Sequence, residues 1–288
     1  MNKPDLLAAY WTLAGNVYPG APTEISPFTL QQRVEAASEA GWKGIGLVLS
    51  DLQATLEQNS LATVRQLFKD NDIKYFELEI LLDWYLTGDA RKVSDYERSK
   101  MIELGAELGM CNLKIGAKPF ENSPNSLDNM AEEFSKLCKE VAQVNANVAL
   151  EIMPFSRLAT LEDGLKVVDT GDANGGLCLD IWHLARGNID FEKISMVPSH
   201  LIKSVELNDA AKEVQGDLFN DSTHHRKLCG QGAYNIPLFL EEIKKAGFNQ
   251  PYYGVELISQ DHRVLPLDEM AKRAYETTIS AFDSQVVS

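Results

Sequence analysis

Four carboxylates occupy the same kind of setting in this chain of 288 residues. Glu151 ends "VALE", Asp180 ends "LCLD", Glu206 lies in "SVELN" and Glu256 in "GVELI". Each stands between two apolar residues and two positions after a small one. In an extended strand neighbouring side chains face opposite ways, so Val148, Leu150 and Ile152 take one face and leave Ala149 and Glu151 on the other. The same alternation sets Leu177, Leu179 and Ile181 against Cys178 and Asp180, Val205 and Leu207 against Ser204 and Glu206, and Val255 and Leu257 against Gly254 and Glu256. Four acids turned the same way cannot all stay ionised side by side, because repulsion and desolvation raise their pKa values or demand a cation. A divalent metal supplies that cation, and oxygen donors suit Mg2+ or Mn2+ better than Zn2+. For one such acid alone, pairing with an inward lysine or a helix N-terminus is an equally ordinary arrangement. The metal expectation rests on four in matching register.

The elements that must position these acids follow from the periodicity. Apolar or β-branched runs over 6–13, 44–50, 73–80, 112–117, 147–153, 176–182, 202–208 and 252–259 read as strands. Between them lie segments of helical period, from "TLQQRVEAASEAG" to a terminal "PLDEMAKRAYETTISAF", with only "DFEKISMV" weak. Several begin at a Ser, Thr or Asp cap, and two close on a glycine. Eight such pairs in this length predict an α/β fold, a (β/α)8 barrel spanning 1–288 as one domain. In that fold the C-terminal ends of the strands converge on one mouth, where chemistry sits.

Composition narrows the partners. Lys and Arg number 27 against 42 Asp and Glu, and the formal charge of -15 repels nucleic acids and anionic membrane surfaces. Cys111, Cys138, Cys178 and Cys229 form no C-x-x-C pair, as expected of reduced thiols in a cytoplasmic protein. The N-terminal "MNKPDLLAAYWTLAG" resembles a weak signal peptide but lacks a small-residue cleavage site, so a first buried strand is expected there. No apolar stretch approaches the roughly 20 residues that span a bilayer. Self-association into a homo-oligomer remains open.

Over nearly its whole length the chain resembles the xylose isomerase-like TIM barrels, the sugar phosphate isomerase/epimerase superfamily. The resemblance is carried by "LEIMPFS", "LDIWHLAR", "VELND" and "HRKLCGQGAYNIPLFLEEIKKAGFNQPYYGVEL". It implies one divalent metal held by Glu151, Asp180, Glu206 and Glu256. It also implies substrate contacts from His183 of the D-x-x-H motif and from Arg226 just before the G-x-G turn. Relatives commonly carry histidine or glutamine where this chain has Glu206, which adds a negative charge. The endonuclease IV branch, with its three zincs, needs many histidines, and this chain has five.

Other residues of the mouth carry two readings each. His183 can donate to a substrate oxygen or bond to Asp180. Arg226 belongs to "HHRK", a solvated loop cluster if not an inward arginine; no role is assigned to His224 or His225. By parity Lys114 and Glu79 point inward, as a structural ion pair or as substrate ligands. Trp84 can floor a sugar pocket or serve packing. The expected chemistry is proton removal next to the carbonyl of a sugar or polyhydroxylated keto compound through a metal-stabilised enediolate, with Glu151 or Glu256 as base. Return of the proton by the other acid gives an epimerase or isomerase, the first expectation. Loss of a hydroxyl gives a dehydratase of the inosose or dehydroshikimate type, the second. A barrel that only binds metal or ligand is a third, which the two candidate bases argue against.

Overall fold

The computed structural model describes residues 3–121 and 125–283. Met1 and Asn2, at the start of the leader-like run, lie outside the described residues. The strands are β1 (Asp5–Ala8), β2 (Gly44–Val48), β3 (Tyr75–Leu81), β4 (Asn112–Gly116), β5 (Asn147–Glu151), β6 (Gly175–Asp180), β7 (Ile202–Leu207) and β8 (Tyr252–Val255). They close in sequence order into a barrel, with β8 hydrogen-bonded to β1. The predicted (β/α)8 barrel is therefore the observed fold.

By compactness the chain divides into two units, and the division falls within β3, between Phe76 and Glu77, and within β7, between Val205 and Glu206. In the unit holding β1, β2 and β8, Leu6, Ala8, Val255 and Leu257 pack with Met270, Ala271 and Ala274 of the terminal helix Leu267–Asp283. Fully burying a Val or Leu side chain is worth about 1.5–3 kcal/mol, so this face holds the helix to its strands. In the other unit Gly164 and Gly175 mark close approach. A Cβ on Gly164 would stand 2.6 Å from Ile152, and one on Gly175 would stand 2.6 Å from Phe134. Ile152, Leu177, Val255 and Leu257 thus face the helices, as the parity argument requires.

The helix starts follow local chemistry. Thr29 and Gln32 form a reciprocal capping box, and Ser60, Ser126 and Thr160 each accept the N–H three residues on. Gly41 and Gly109 close their helices in the left-handed region, at φ 109° and 75°. Several expected strands end early: the 44–50 run stops at Val48, where helix Leu49–Leu56 begins, and the 147–153 run stops at Glu151. The first run stops at Ala8 and Tyr10–Leu13 is helical. The run through Trp182 stops at Asp180, whose side chain accepts the N–H groups of Trp182 and His183 and starts helix Ile181–Arg186. The last run stops at Val255, which leaves Glu256 just past its strand. The weak segment "DFEKISMV" forms a 3-10 helix over Phe191–Met196.

Register explains the small residue two positions before Glu151, Asp180 and Glu256. Lys114 stands beside Ala149, which stands beside Gly176; Glu151 stands between Gly116 and Cys178; Glu206 stands beside Gly254. Long inward side chains on one strand fill the space that small residues on the next leave open, the layered filling of a TIM-barrel interior.

His262, in the loop after β8, is 4% exposed and bonds through Nε2 to the Thr12 carbonyl at 3.1 Å. Burial pushes its pKa down to about 4, a shift the Thr12 bond opposes and Arg273 reinforces. The unfolded chain binds the proton near the ordinary histidine pKa of about 6.5, so stability from this group is complete above that pH and is lost as pH falls toward 4. Urea unfolding at pH 7.5 and 4.5 should cost the native chain about 2–3 kcal/mol more than the His262→Gln variant. Equal losses in both would show that His262 does not titrate in this window.

Candidate active site

The inner side of β3, β4 and β5 carries polar layers. At the bottom Asn112 donates to Glu77 at 2.6 Å and accepts from Asn147 at 3.0 Å. Above it Lys114 pairs with Glu79 at 2.8 Å, both side chains almost fully buried. Glu151 ends β5 one layer higher.

At that level donor atoms converge. Ligand-capable atoms of Glu151, Asp180, His183 and Glu256 all lie within 4.8 Å of one another, and all four residues are buried. A second group, sharing Glu151, adds Cys178 and Glu206 under the same limit. Of the four acids singled out in the sequence, three fall in one group and Glu206 in the overlapping one. His183 joins the first group because the one-turn advance from Asp180 into helix Ile181–Arg186 turns its ring back toward β5. Its Nε2 stands 3.3 Å from Glu151 Oε1. The His183 ring is flanked edge-on by Trp182 at 5.0 Å and Phe155 at 5.9 Å between centroids.

The other candidates divide by what they touch. Arg226 is buried; its guanidinium holds Glu256 Oε2 at 2.9 Å and bonds the carbonyl and hydroxyl oxygens of Ser222 at 3.1 and 3.2 Å. It is an inward arginine and a clamp on Glu256. Trp84 donates its indole N–H to the Gly116 carbonyl at 2.9 Å and meets Phe134 and Tyr85 edge-on, the packing role left open for it. His224 bonds Thr223 Oγ1 at 2.7 Å and His225 bonds Asn220 at 3.1 Å, and neither is among the grouped donors. Burial, then Arg263 and His225, hold the His224 pKa below its ordinary value.

Two positioning elements were not singled out in the sequence. Asp209, directly after β7, accepts from the N–H groups of Ala210 and Tyr234 through Oδ1 and from those of Gly230 and Gly232 through Oδ2, at 2.8–3.1 Å. It thereby fixes the G-Q-G turn. Gly232 has no alternative there, since a Cβ would stand 2.2 Å from the Ala210 carbonyl oxygen. The turn follows the two-residue strand Arg226–Lys227, which pairs antiparallel with Asp209–Ala210 and so sets where Arg226 starts. The signal for Asp209 was present in "VELND", as a second acid three residues after the expected ligand Glu206. The signal for Phe155, in "LEIMPFS", was an aromatic in the loop four residues past the end of β5.

The donor set fits a divalent ion. Three carboxylates and an imidazole are gathered in a buried space, where like charges need a cation. Arg226 reaches Glu256 and His183 reaches Glu151, while Asp180 Oδ1 accepts two backbone N–H groups at 2.6 and 3.3 Å. The sequence expectation weighed four oxygens. The structure adds the His183 imidazole to the group, and a nitrogen donor turns the preference from Mg2+ toward Mn2+ and Zn2+ only where it ligates.

Residues 34–281 match the family model described as xylose isomerase-like TIM barrel. A 3-dehydroshikimate dehydratase of Pseudomonas aeruginosa is 26% identical over 245 residues, covering 83% of this chain and 37% of that protein. This chain therefore spans little more than a third of that relative. Among solved structures, a xylose isomerase-like TIM barrel/4-hydroxyphenylpyruvate dioxygenase fusion protein superposes with a TM-score of 0.85 at 20% identity, over 98% of this chain and 43% of its own. The IOLI protein, solved with a zinc atom, gives 0.85 at 20% identity over 99% and 100%. At that identity the two structural likenesses speak to the fold.

Lys114 and Glu79 provide a test of their role. Removing one partner of a buried pair typically costs about 3–5 kcal/mol, whereas replacing both by apolar side chains costs far less. Lys114→Met should be destabilised by that amount in urea unfolding, and Lys114→Met/Glu79→Leu should recover most of it. A single variant as stable as the parent would point to a lysine placed for substrate.

Proposed function

The chain belongs to the xylose isomerase-like TIM-barrel family, and from that premise we propose that it is a divalent-metal-dependent dehydratase acting on a polyhydroxylated keto compound of the 3-dehydroshikimate class. The observation that carries this reading is the Glu151–His183 contact of 3.3 Å within the carboxylate group. The likeness to the Pseudomonas dehydratase supports the substrate class and moves dehydration ahead of epimerisation. Glu151, Asp180 and Glu256 hold the ion, with Glu206 as the fourth donor. When bound, the ion supplies positive charge beside the substrate carbonyl as negative charge develops on its oxygen.

Elimination of water breaks a C–H bond next to the carbonyl and a C–O bond on the following carbon. Glu151 takes the proton, and the C–H electron pair becomes the new double bond as hydroxide departs. His183 donates its Nε2 proton to that hydroxyl, which leaves as water. The Glu151 carboxyl then returns its proton to Nε2 across the same 3.3 Å contact, restoring both groups. Arg226 keeps the Glu256 carboxylate oriented, and the rings of Phe155 and Trp182 shield His183 from bulk water. Lys114, tied to Glu79, acts below the reacting atoms as support.

An epimerase is the second reading. It is favoured by the gathering of both Glu151 and Glu256 within 4.8 Å, because two acids can serve two faces of one carbon.

Manganese-loaded protein incubated with 3-dehydroshikimate in deuterium oxide should convert it with loss of water, followed by NMR. Glu151→Gln should lower kcat by about 10²- to 10⁴-fold with KM changed little, while Glu256→Gln retains deuterium exchange at the carbon acid. Unchanged 3-dehydroshikimate together with exchange at a ketohexose carbon that needs both glutamates would replace this reading by the epimerase. Metal titration separates the fourth donor: Glu206→Gln should bind Mn2+ more weakly, and His183→Gln should keep the affinity and lose turnover. The reverse pattern would make His183 the ligand.

A further inference from the structure

Apart from the carboxylate group, a cavity of about 440 Å³ opens between the loop after β8 and the segment that runs from Arg226 to the G-Q-G turn. Its volume suits a molecule of monosaccharide size. Its walls invert the charge of the chain. Arg226, Lys227 and Arg273 line it against one carboxylate, Asp261, in a protein of net charge -15. Arg226 is committed to Glu256, and Arg273 is shared with Glu269 at 3.1 Å. Lys227 is half-buried, and its ammonium pairs with no carboxylate among the described residues.

The remaining polar wall suits hydroxyl groups. Gln231, Gln260 and Ser259 line the cavity with His262.

We propose that this cavity is a second binding site, separate from the carboxylate group, for a small polyhydroxylated molecule bearing an oxyanion. The oxyanion, carboxylate or phosphate, sits against Lys227 and Arg273, and Ser259 meets a hydroxyl. The amides of Gln231 and Gln260 reach the remaining hydroxyls.

Calorimetric titration of the full chain with D-gluconate and with glucose 6-phosphate tests this, with D-glucose and inorganic phosphate as comparisons. At least one of the two hydroxylated anions should bind saturably, about tenfold or more tightly than either comparison; which of the two binds better identifies the oxyanion. Lys227→Ala should weaken that binding by about tenfold or more, the scale of one charged hydrogen bond, while Glu151→Gln leaves it within a factor of about two. Failure of both anions to bind below about 10 mM would overturn the proposal. So would affinity insensitive to Lys227→Ala, affinity lost in Glu151→Gln, or D-glucose or phosphate binding as tightly as the hydroxylated anions.

Discussion

The controlling constraint is the electrostatic cost of burying several carboxylates at the ends of neighbouring strands. In a low-dielectric interior two like charges a few ångströms apart repel strongly, and each also loses its hydration. Much of the surrounding structure acts against that cost. Arg226 is drawn in to hold Glu256, His183 to meet Glu151, and Asp180 gives one oxygen to the first turn of a helix. What these partners leave uncompensated is gathered at one point, in a group of buried donors that could hold a divalent ion.

That arrangement depends on elements several residues from the reacting groups. Arg226 can clamp Glu256 only because the short ladder with Asp209–Ala210 fixes its backbone. The ladder is held in turn by Asp209, whose two oxygens take the N–H of Ala210 and three N–H groups of the turn, those of Gly230, Gly232 and Tyr234. Gly232 is there because the carbonyl of Ala210 leaves no room for a methyl group. The Glu256 carboxylate is thus positioned through a chain of hydrogen bonds ending at a backbone turn. The G-Q-G sequence acts through space and backbone geometry.

The barrel interior below the site solves a related problem with fewer charges. Lys114 and Glu79 neutralise each other, and beneath them the pairing of Asn112 with Glu77 and Asn147 consumes polar groups by hydrogen bonding. Small residues at Ala149, Gly116, Gly176 and Gly254 give the long side chains their space. The same alternation that aims the acids also sets the volume around them.

The sequence by itself determined the barrel, the direction of each inward acid and the small residue two positions before it, because strand alternation and helix capping are local properties written in consecutive residues. Glu151, Asp180 and Glu256 were legible for that reason, and so was Arg226, through its place before the glycine turn. What only the tertiary structure decided was which inward groups meet. Whether Lys114 faced Glu79 or a ligand and whether Trp84 floored a pocket or packed on Phe134 depended on neighbours far away in the chain, and His183, read as meeting a substrate oxygen or Asp180, has its ring nitrogen beside Glu151. Asp180 made the difference most plainly. As a strand residue it was expected to be followed by two more strand positions, yet its carboxylate caps a helix and so carries His183 one turn back toward Glu151 and Glu256. Periodicity states which way a side chain points; the distance at which it finds a partner is set by the closure of the sheet.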